Sequence, residues 1–465
     1  MHILDNQYCE RLLPRPWRYL KTGAFVALVA TQVVGFSAEA QRPCPPDLSG
    51  EGTVVQPGAA CSLKMDTPDY VDPVANVTLL GGRKVVNATN SAELVTATNN
   101  AACGDTIQLS DATYTSNFTI DATCPANNPV IVKGASNFAS VINAQASLTG
   151  SRNIITGIDF NGGNASVQLY GVNNKLIGNK MRNWTTTRAI MTGGAGQREQ
   201  EIAYNEITRP TGTTSSPTFA IKADTSSDPN TVPLNVWVHH NFIYGGPDGQ
   251  GVDTDPMEPG NSSHSWANTL MAGWYIQENL FANYQDCNQN VIDMKFSGTT
   301  FLRNTVTGPC SVKFTARIGA FNIFDGNWLE PGQILTHGRG HKVVCNHATI
   351  RVQAGQAEWS STGKQDDKVP HNASYETLVE SNDGALLIGY RPNSSYNVAA
   401  DATVIRNHTG SITTNGSAHL QTNTTTLPTA AAIYVCRSAV KLTASDVGPA
   451  ALSSASSAYK AARGL

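Results

Sequence analysis

Matching residues recur along the C-terminal half of this chain at nearly constant spacing. Cys287 and Cys310 are 23 apart, Asn304 and Asn327 are 23 apart, and Lys295 and Arg317 are 22 apart. Between Asn288 and His347 the chain reads as three short apolar runs, each closed by an Asn and a turn. A repeat of this length built from short strands predicts a solenoid, one coil of a parallel β-helix per repeat. Parallel strands stack about 4.8 Å apart, so residues one period apart share a face. Lys295 and Arg317 are therefore expected one above the other, and His337, twenty residues further on, extends the column. Like charges at that spacing repel, so the column calls for an anionic partner.

The rhythm begins upstream. From about residue 106 the pattern is strand, turn, strand, as in Val130–Val132, Asn153–Ile155, Lys175–Ile177, Glu201–Ala203 and Val236–Val238. An Asn followed two residues later by an apolar residue recurs at 179, 205, 241, 279, 304, 327 and 346. The longer intervals mark loops inserted in single coils, where solenoids carry binding residues. Stacked Asn side chains can hydrogen-bond along the ladder, so these asparagines read as structural. Asn90 with Glu93 forms a capping-box pattern opening a helix over Ser91–Ala102, which would cover the exposed edge of the first coil. Gln353–Lys368 reads as an insertion. Coils resume at Ala385–Ile388 and Thr403–Ile405 and end at Asn407. The fold class is all-β, a parallel β-helix with a short N-terminal capping helix. Residues 1–40 read as a signal peptide, 41–84 as a Pro/Gly-rich lead-in, 85–450 as the β-helix domain and 451–465 as a tail.

Charged residues make up 14% of the chain and the net charge is −3, which argues against a nucleic-acid partner. Basic residues precede an apolar run from Gly23 to Phe36, and Ala38-x-Ala40 fits a signal-peptidase site. The expected location is secreted or periplasmic, with no membrane association of the mature chain, which is expected to be a monomer. Cys9 leaves with the signal, so eight cysteines remain, and an even count in an exported protein argues for disulfides. The coil period pairs Cys287 with Cys310. Cys44–Cys61 and Cys103–Cys124 form local loops, and Cys345–Cys436 follows by elimination.

A polyanion with a carboxylate beside an acidic C–H can be cut by β-elimination. That reaction requires a base, a cation or donor on the carboxylate, and an acid for the leaving oxygen. Lysine, with an ordinary pKa of about 10.4, is a poor base at neutral pH unless a neighbouring cation lowers it. Arg317 one coil from Lys295 is such a neighbour. Lys295 is then the candidate base, and Arg317 binds the carboxylate or helps protonate the leaving group. His337 falls on the same column as a candidate substrate contact, whereas His341 reads as packing. His239 and His240 either face the cleft or end a strand. The loop Gly245–Ser263 holds Asp248, Asp253, Asp255 and Glu258; most of these read as solvated, although such a loop can hold calcium.

The segments VIDMKFSG, TARIG and HGRGHKVVCN, at coil spacing, resemble successive signatures of polysaccharide lyase family 6, the alginate lyase and chondroitinase B family. CGDTIQLSDATYT and the helix before it resemble that family's N-terminal cap, and Ala444–Pro449 resembles its C-terminal end. The resemblance spans roughly residues 85–450. It implies a right-handed β-helix, Lys295 as base, Arg317 as acid or carboxylate partner, and an anionic polysaccharide, foremost alginate, as substrate. His337, Asn290 and Arg339 become candidate substrate contacts. Asn288 and Asn290 stand where the family usually has two Glu that help hold calcium; as candidate metal ligands they bring no charge, so calcium dependence is not expected to follow the family. The usual Arg-His-Gly is Arg317-Ile318-Gly319 here, and an Arg expected before HGRGH is Leu335. Two other readings share the fold: a β-helix glycoside hydrolase, which needs paired carboxylates in the cleft, and a glycan-binding protein without catalysis.

Overall fold

The computed structural model describes residues 70–208, 219–223, 231–245, 255–260, 271–283, 290–317, 319–355, 373–394, 396–414, 419–427, 434 and 437–465. The expected signal peptide, residues 41–69 of the lead-in with the Cys44–Cys61 pair, Cys287, Asn288 and Cys436 lie outside them, as do Asp248 and Asp253. Among the described residues no helix is long and apolar enough to cross a membrane.

Among the described residues the strands stack into three parallel sheets of 14, 19 and 4 strands. Chain order and stacking order coincide in the 14-strand sheet, so each coil lies on the last. The architecture is a right-handed parallel β-helix. Its core is made of register columns. Ile107, Val132, Ile155, Leu176, Ile202, Val238, Ile276, Phe301, Phe324, Val343, Val379 and Ile405 are successive partners. All are essentially buried. Each such side chain contributes about 1.5–3 kcal/mol by leaving water. Coils continue past Asn407, through a last strand at Thr425–Leu427.

The expected helix is present as α1, Ser91–Asn99, with Asn90 as N-cap. The side chain of Asn90 accepts from the Glu93 N–H at 3.0 Å, while Glu93 reaches back to the Thr89 N–H at 2.8 Å rather than to Asn90 itself. Leu94 of this helix joins the core. Cys103 and Cys124 are bonded as the sequence suggested. Cys345 is disulfide-bonded as well, to a partner outside the described side chains.

The repeated asparagines form one ladder. Asn241 donates from both its backbone N–H and its Nδ2 to Oδ1 of Asn279, at 3.0 and 2.9 Å. Asn279 does the same to Asn304, Asn304 to Asn327, Asn327 to Asn346, and Asn346 to Asn382. Asn179 and Asn205 begin the series. The residue before each ladder Asn has positive φ, including Tyr204, His240, Glu278, Arg303, Cys345 and Ser381. A non-glycine residue there costs on the order of 1 kcal/mol, which the paired amides offset.

At the C-terminus the expected tail is ordered. Two short helices, α2 (Gly448–Leu452) and α3 (Ser457–Ala461), pack on the outer face of the 14-strand sheet. Arg463, fully buried, donates to Glu201 and, at 2.7 Å, to Asp72. Glu201 also accepts from Lys175 at 2.7 Å and from the Tyr459 hydroxyl at 2.7 Å, and meets Nε2 of His239 at 3.1 Å. Burial opposes its charge, but Arg463 and Lys175 outweigh burial and hold the Glu201 carboxyl well below its usual range. Removing one partner strands a buried charge. Arg463→Ala is therefore expected to cost about 3–5 kcal/mol in denaturant unfolding; a loss under about 1 kcal/mol would mean that the network contributes little.

Candidate active site

Five strands of the 19-strand sheet position the column that the sequence picks out: β1 (Phe219–Ala223), β2 (Met257–Pro259), β3 (Asn290–Met294), β4 (Thr305–Ala316) and β5 (Trp328–Thr336). Along β3, Ile292, Met294 and Phe296 point into the core, so Asp293 and Lys295 share the outer face. Met294 pairs with Ala316, and Ala316 with Thr336. The next rung is therefore Lys295, Arg317 and His337 in order. Its ladder bonds, Arg317 N–H to Met294 O and His337 N–H to Ala316 O, are each 2.9 Å. The rung before Lys295 is Gly260, with φ +103°. A Cβ at Gly260 would fall 3.0 Å from the Lys295 Cβ, so only glycine fits against the lysine.

The anionic partner of these cations lies within the protein. Nζ of Lys295 is 2.8 Å from Glu258 Oε1 and 3.2 Å from Asp293 Oδ2. Nη1 of Arg317 is 2.9 Å from the same Asp293 oxygen. Lys222, the register partner of Glu258, approaches Glu258 Oε1 at 3.7 Å and lies over the Phe219 ring. Charges thus alternate from Lys222 through Glu258, Lys295 and Asp293 to Arg317. Asp293 is fully buried, and the Lys295 side chain is 5% exposed against 36% for Arg317.

This arrangement corrects the expected electrostatics. Burial lowers the pKa of Lys295, but Asp293 and Glu258 outweigh it, and the pKa is raised; Arg317 lowers it only as a smaller effect. The lysine is an ammonium ion in the free protein. Asp255 and Glu258 are not solvated either, for both are buried.

The remaining sequence candidates are placed as follows. His337 is on the column and buried, and its carbonyl oxygen accepts from Nε2 of His341 at 2.7 Å. His341 also accepts from the Asn322 N–H at Nδ1 and packs inside, as expected. Asn290 accepts from the Thr315 hydroxyl at 2.6 Å and donates its backbone N–H to Asp255. Arg339 lies on the 4-strand sheet, where it forms a two-point pair with Glu376 between the rings of Phe321 and Tyr375. The structure pairs it there rather than with Lys295. His239 sits on the other sheet against Glu201. Leu335, where an arginine was expected, pairs in register with Arg351, which stacks on Tyr390 at 4.1 Å.

The described donors do not fit calcium. Asn290 is already engaged, Glu258 and Asp293 are neutralised by ammonium and guanidinium groups, and no cluster of three or more His, Cys, Asp or Glu among the described residues suits a metal. Among the described residues, Oδ1 of buried Asp293 and Oδ2 of buried Asp255 accept no hydrogen bond, but calcium takes six or more oxygens.

No family model matches this sequence, and no curated protein does. Solved structures do. A mannuronic acid specific family 6 polysaccharide lyase from human gut microbiota aligns with a TM-score of 0.55 at 14% identity, over 71% of this chain and 83% of that one. The family 6 alginate lyase AlyGC aligns with a TM-score of 0.58 at 14% identity, over 72% of this chain; the match spans 50% of AlyGC. The family 6 lyase Pedsa3628 from Pseudopedobacter saltans aligns with a TM-score of 0.56 at 14% identity, over 78% and 99%. At this identity the likeness establishes a shared fold.

His341 yields a prediction that does not depend on activity. Burial depresses its pKa from 6.5 to about 4. The neutral form is favoured by folding, so its contribution is complete above pH 6.5 and is lost as pH falls toward 4, about 3 kcal/mol in all. Urea midpoints measured across that window should fall steeply for the native sequence. They should fall less for His341→Gln, leaving the shares due to His239, whose pKa burial lowers to about 4, and to His408, whose pKa burial lowers as well. Parallel curves would exclude the assignment.

Proposed function

We propose that this protein is an exported polysaccharide lyase that cleaves a uronate polymer, foremost alginate, by β-elimination. One observation carries the reading: Lys295 and Arg317 occupy successive rungs on one face and share a single carboxylate oxygen, Oδ2 of Asp293. Arg317, the more exposed of the two, takes the uronate carboxylate and stabilises the charge that develops when the C5 proton leaves. Lys295 takes that proton as base, and an N–H of Arg317 donates toward the leaving oxygen. His337, next on the column, and Asn290, beside Thr315, are substrate contacts in this reading. The fold likeness to alginate lyases, two of them in complexes with a trisaccharide and with G6, supports the choice of polymer. Disulfides at Cys103–Cys124 and Cys345 suit an oxidising compartment.

A hydrolase needs two carboxylates that reach the substrate. Glu258 and Asp293 are neighbours on adjacent strands, but both are buried and ion-paired. Arg317 supplies the charge that calcium would otherwise bring, so no step here runs through a metal.

Incubation with alginate is expected to generate unsaturated ends absorbing in the near ultraviolet, unchanged by a chelator. Lys295→Ala should lower the rate about 10²–10⁴-fold. The reading fails if alginate, dermatan sulfate and pectate all yield no such ends. Cleavage without unsaturation selects a hydrolase, and binding without turnover, indifferent to Lys295→Ala, selects a glycan-binding protein.

A further inference from the structure

A base must first lose its proton, and the free protein holds Lys295 as an ammonium ion between two carboxylates. The two are not equivalent. Asp293 is shared with Arg317, whose guanidinium does not give up its charge. Among the described residues, Glu258 has only the looser contact with Lys222 besides its 2.8 Å bond to Lys295. Among the described residues, the charged groups facing this pair are Lys222 from β1, Asp293 from β3 and Arg317 after β4, with Tyr396 within reach of the Arg317 charge. Asp255, ahead of β2, is engaged with the Asn290 N–H.

We propose that Glu258 is a positioning residue for the elimination and the acceptor of the Lys295 proton when substrate covers the site. This rests on the lyase reading above. A bound polysaccharide excludes water from a pair that is already almost fully buried. Desolvation disfavours both charges, and moving one proton from Nζ to Oε1 removes both at once. The uronate carboxylate opposes the transfer only weakly, because in this reading its negative charge is paired with the Arg317 guanidinium. The freed amine of Lys295 then takes the C5 proton, and the C5–H electron pair becomes the enolate held by Arg317. That pair forms the C4=C5 bond as the C4–O bond breaks. The leaving oxygen takes a proton from the Lys295 ammonium, Glu258 returns its proton to the amine, and the ion pair is restored. The C5 proton has moved in net terms to the new hydroxyl, and no co-reactant is consumed.

The test separates this role from simple charge pairing. If Glu258 only keeps Lys295 charged, Glu258→Gln releases the amine and raises turnover at pH 7. If Glu258 receives the proton, Glu258→Gln lowers kcat at pH 7 about 10²-fold with KM little changed. In that case the rate climbs with pH as solvent takes over the deprotonation, and Glu258→Asp restores most of it. Difference infrared spectra of the unmodified protein with an alginate oligosaccharide should show a protonated carboxyl band that Glu258→Gln lacks. That measurement also serves if the variant folds poorly. Turnover at or above the native level in Glu258→Gln, or no such band, overturns the proposal while leaving the lyase reading intact. Absence of unsaturated product from the unmodified protein overturns both.

Discussion

Register is the constraint on which the rest of this molecule depends. Every functional statement about the outer face assumes that residues on successive coils stand above one another. The buried amide ladder enforces that. Each Asn side chain accepts from two groups of the preceding coil and donates to the following one, so a coil shifted by one residue would leave several buried polar groups unpaired at once. Each orphaned group costs about 1–3 kcal/mol. A one-residue slip would also turn the core columns outward. The apolar columns supply most of the cohesion, and the ladder adds a polar penalty to the same slip.

On that scaffold the outer face obeys ordinary electrostatics. Two cations on adjacent rungs repel, and burying either without a partner costs several kcal/mol. The protein resolves this by alternation, with one oxygen of each carboxylate shared by two cations. Sharing has a chemical consequence. The cluster is stable with Lys295 charged, so the proposed elimination has to start by removing one proton from it. Arg317 sits at the open end of the alternation and is the more exposed cation, which suits it to meet an anionic ligand first.

What was legible in the sequence follows the same physics. The coil period placed Lys295, Arg317 and His337 on one column because those three coils carry no insertion. Asp293 had a signal that spacing alone made available: it stands two residues before Lys295 in a strand, and hence on the same face. Glu258 had none. It precedes Asp293 by 35 residues and follows Lys222 by 36, because insertions lengthen both coils, so no constant period aligns the three. Asn382 escaped for a local reason, since Gly384 rather than an apolar residue follows it. The expectation that Arg317 would depress the Lys295 pKa counted one neighbour where the site has three. The C-terminal segment was read as a tail because contacts such as Arg463 with Glu201, 262 residues apart, leave no periodic trace.

That segment explains a detail of the ladder. Eight residues precede the ladder asparagines in positive-φ turns, and two of them, Gly178 and Gly326, are glycine. Backbone strain alone does not select these two, since six other side chains accept the same conformation. The C-terminal segment does. A Cβ at Gly326 would fall 2.4 Å from the carbonyl oxygen of Arg437, and one at Gly178 would fall 2.6 Å from Leu452. Between them the Gly448 N–H donates to the His240 carbonyl at 2.7 Å, at another turn of the same row. The chain therefore runs back along its own turns from the later coils toward the earlier ones, lying closest where a side chain is missing. A solenoid whose coils touch only their neighbours can open locally at any rung. A return segment bonded at several distant rungs ties that opening to the loss of all its contacts, including the buried Arg463 pair. The coils that carry Lys222, Lys295 and Arg317 lie between its anchors at Asp325 and Glu201. Their spacing is thus held from the opposite face, without occupying the face where a polymer would lie.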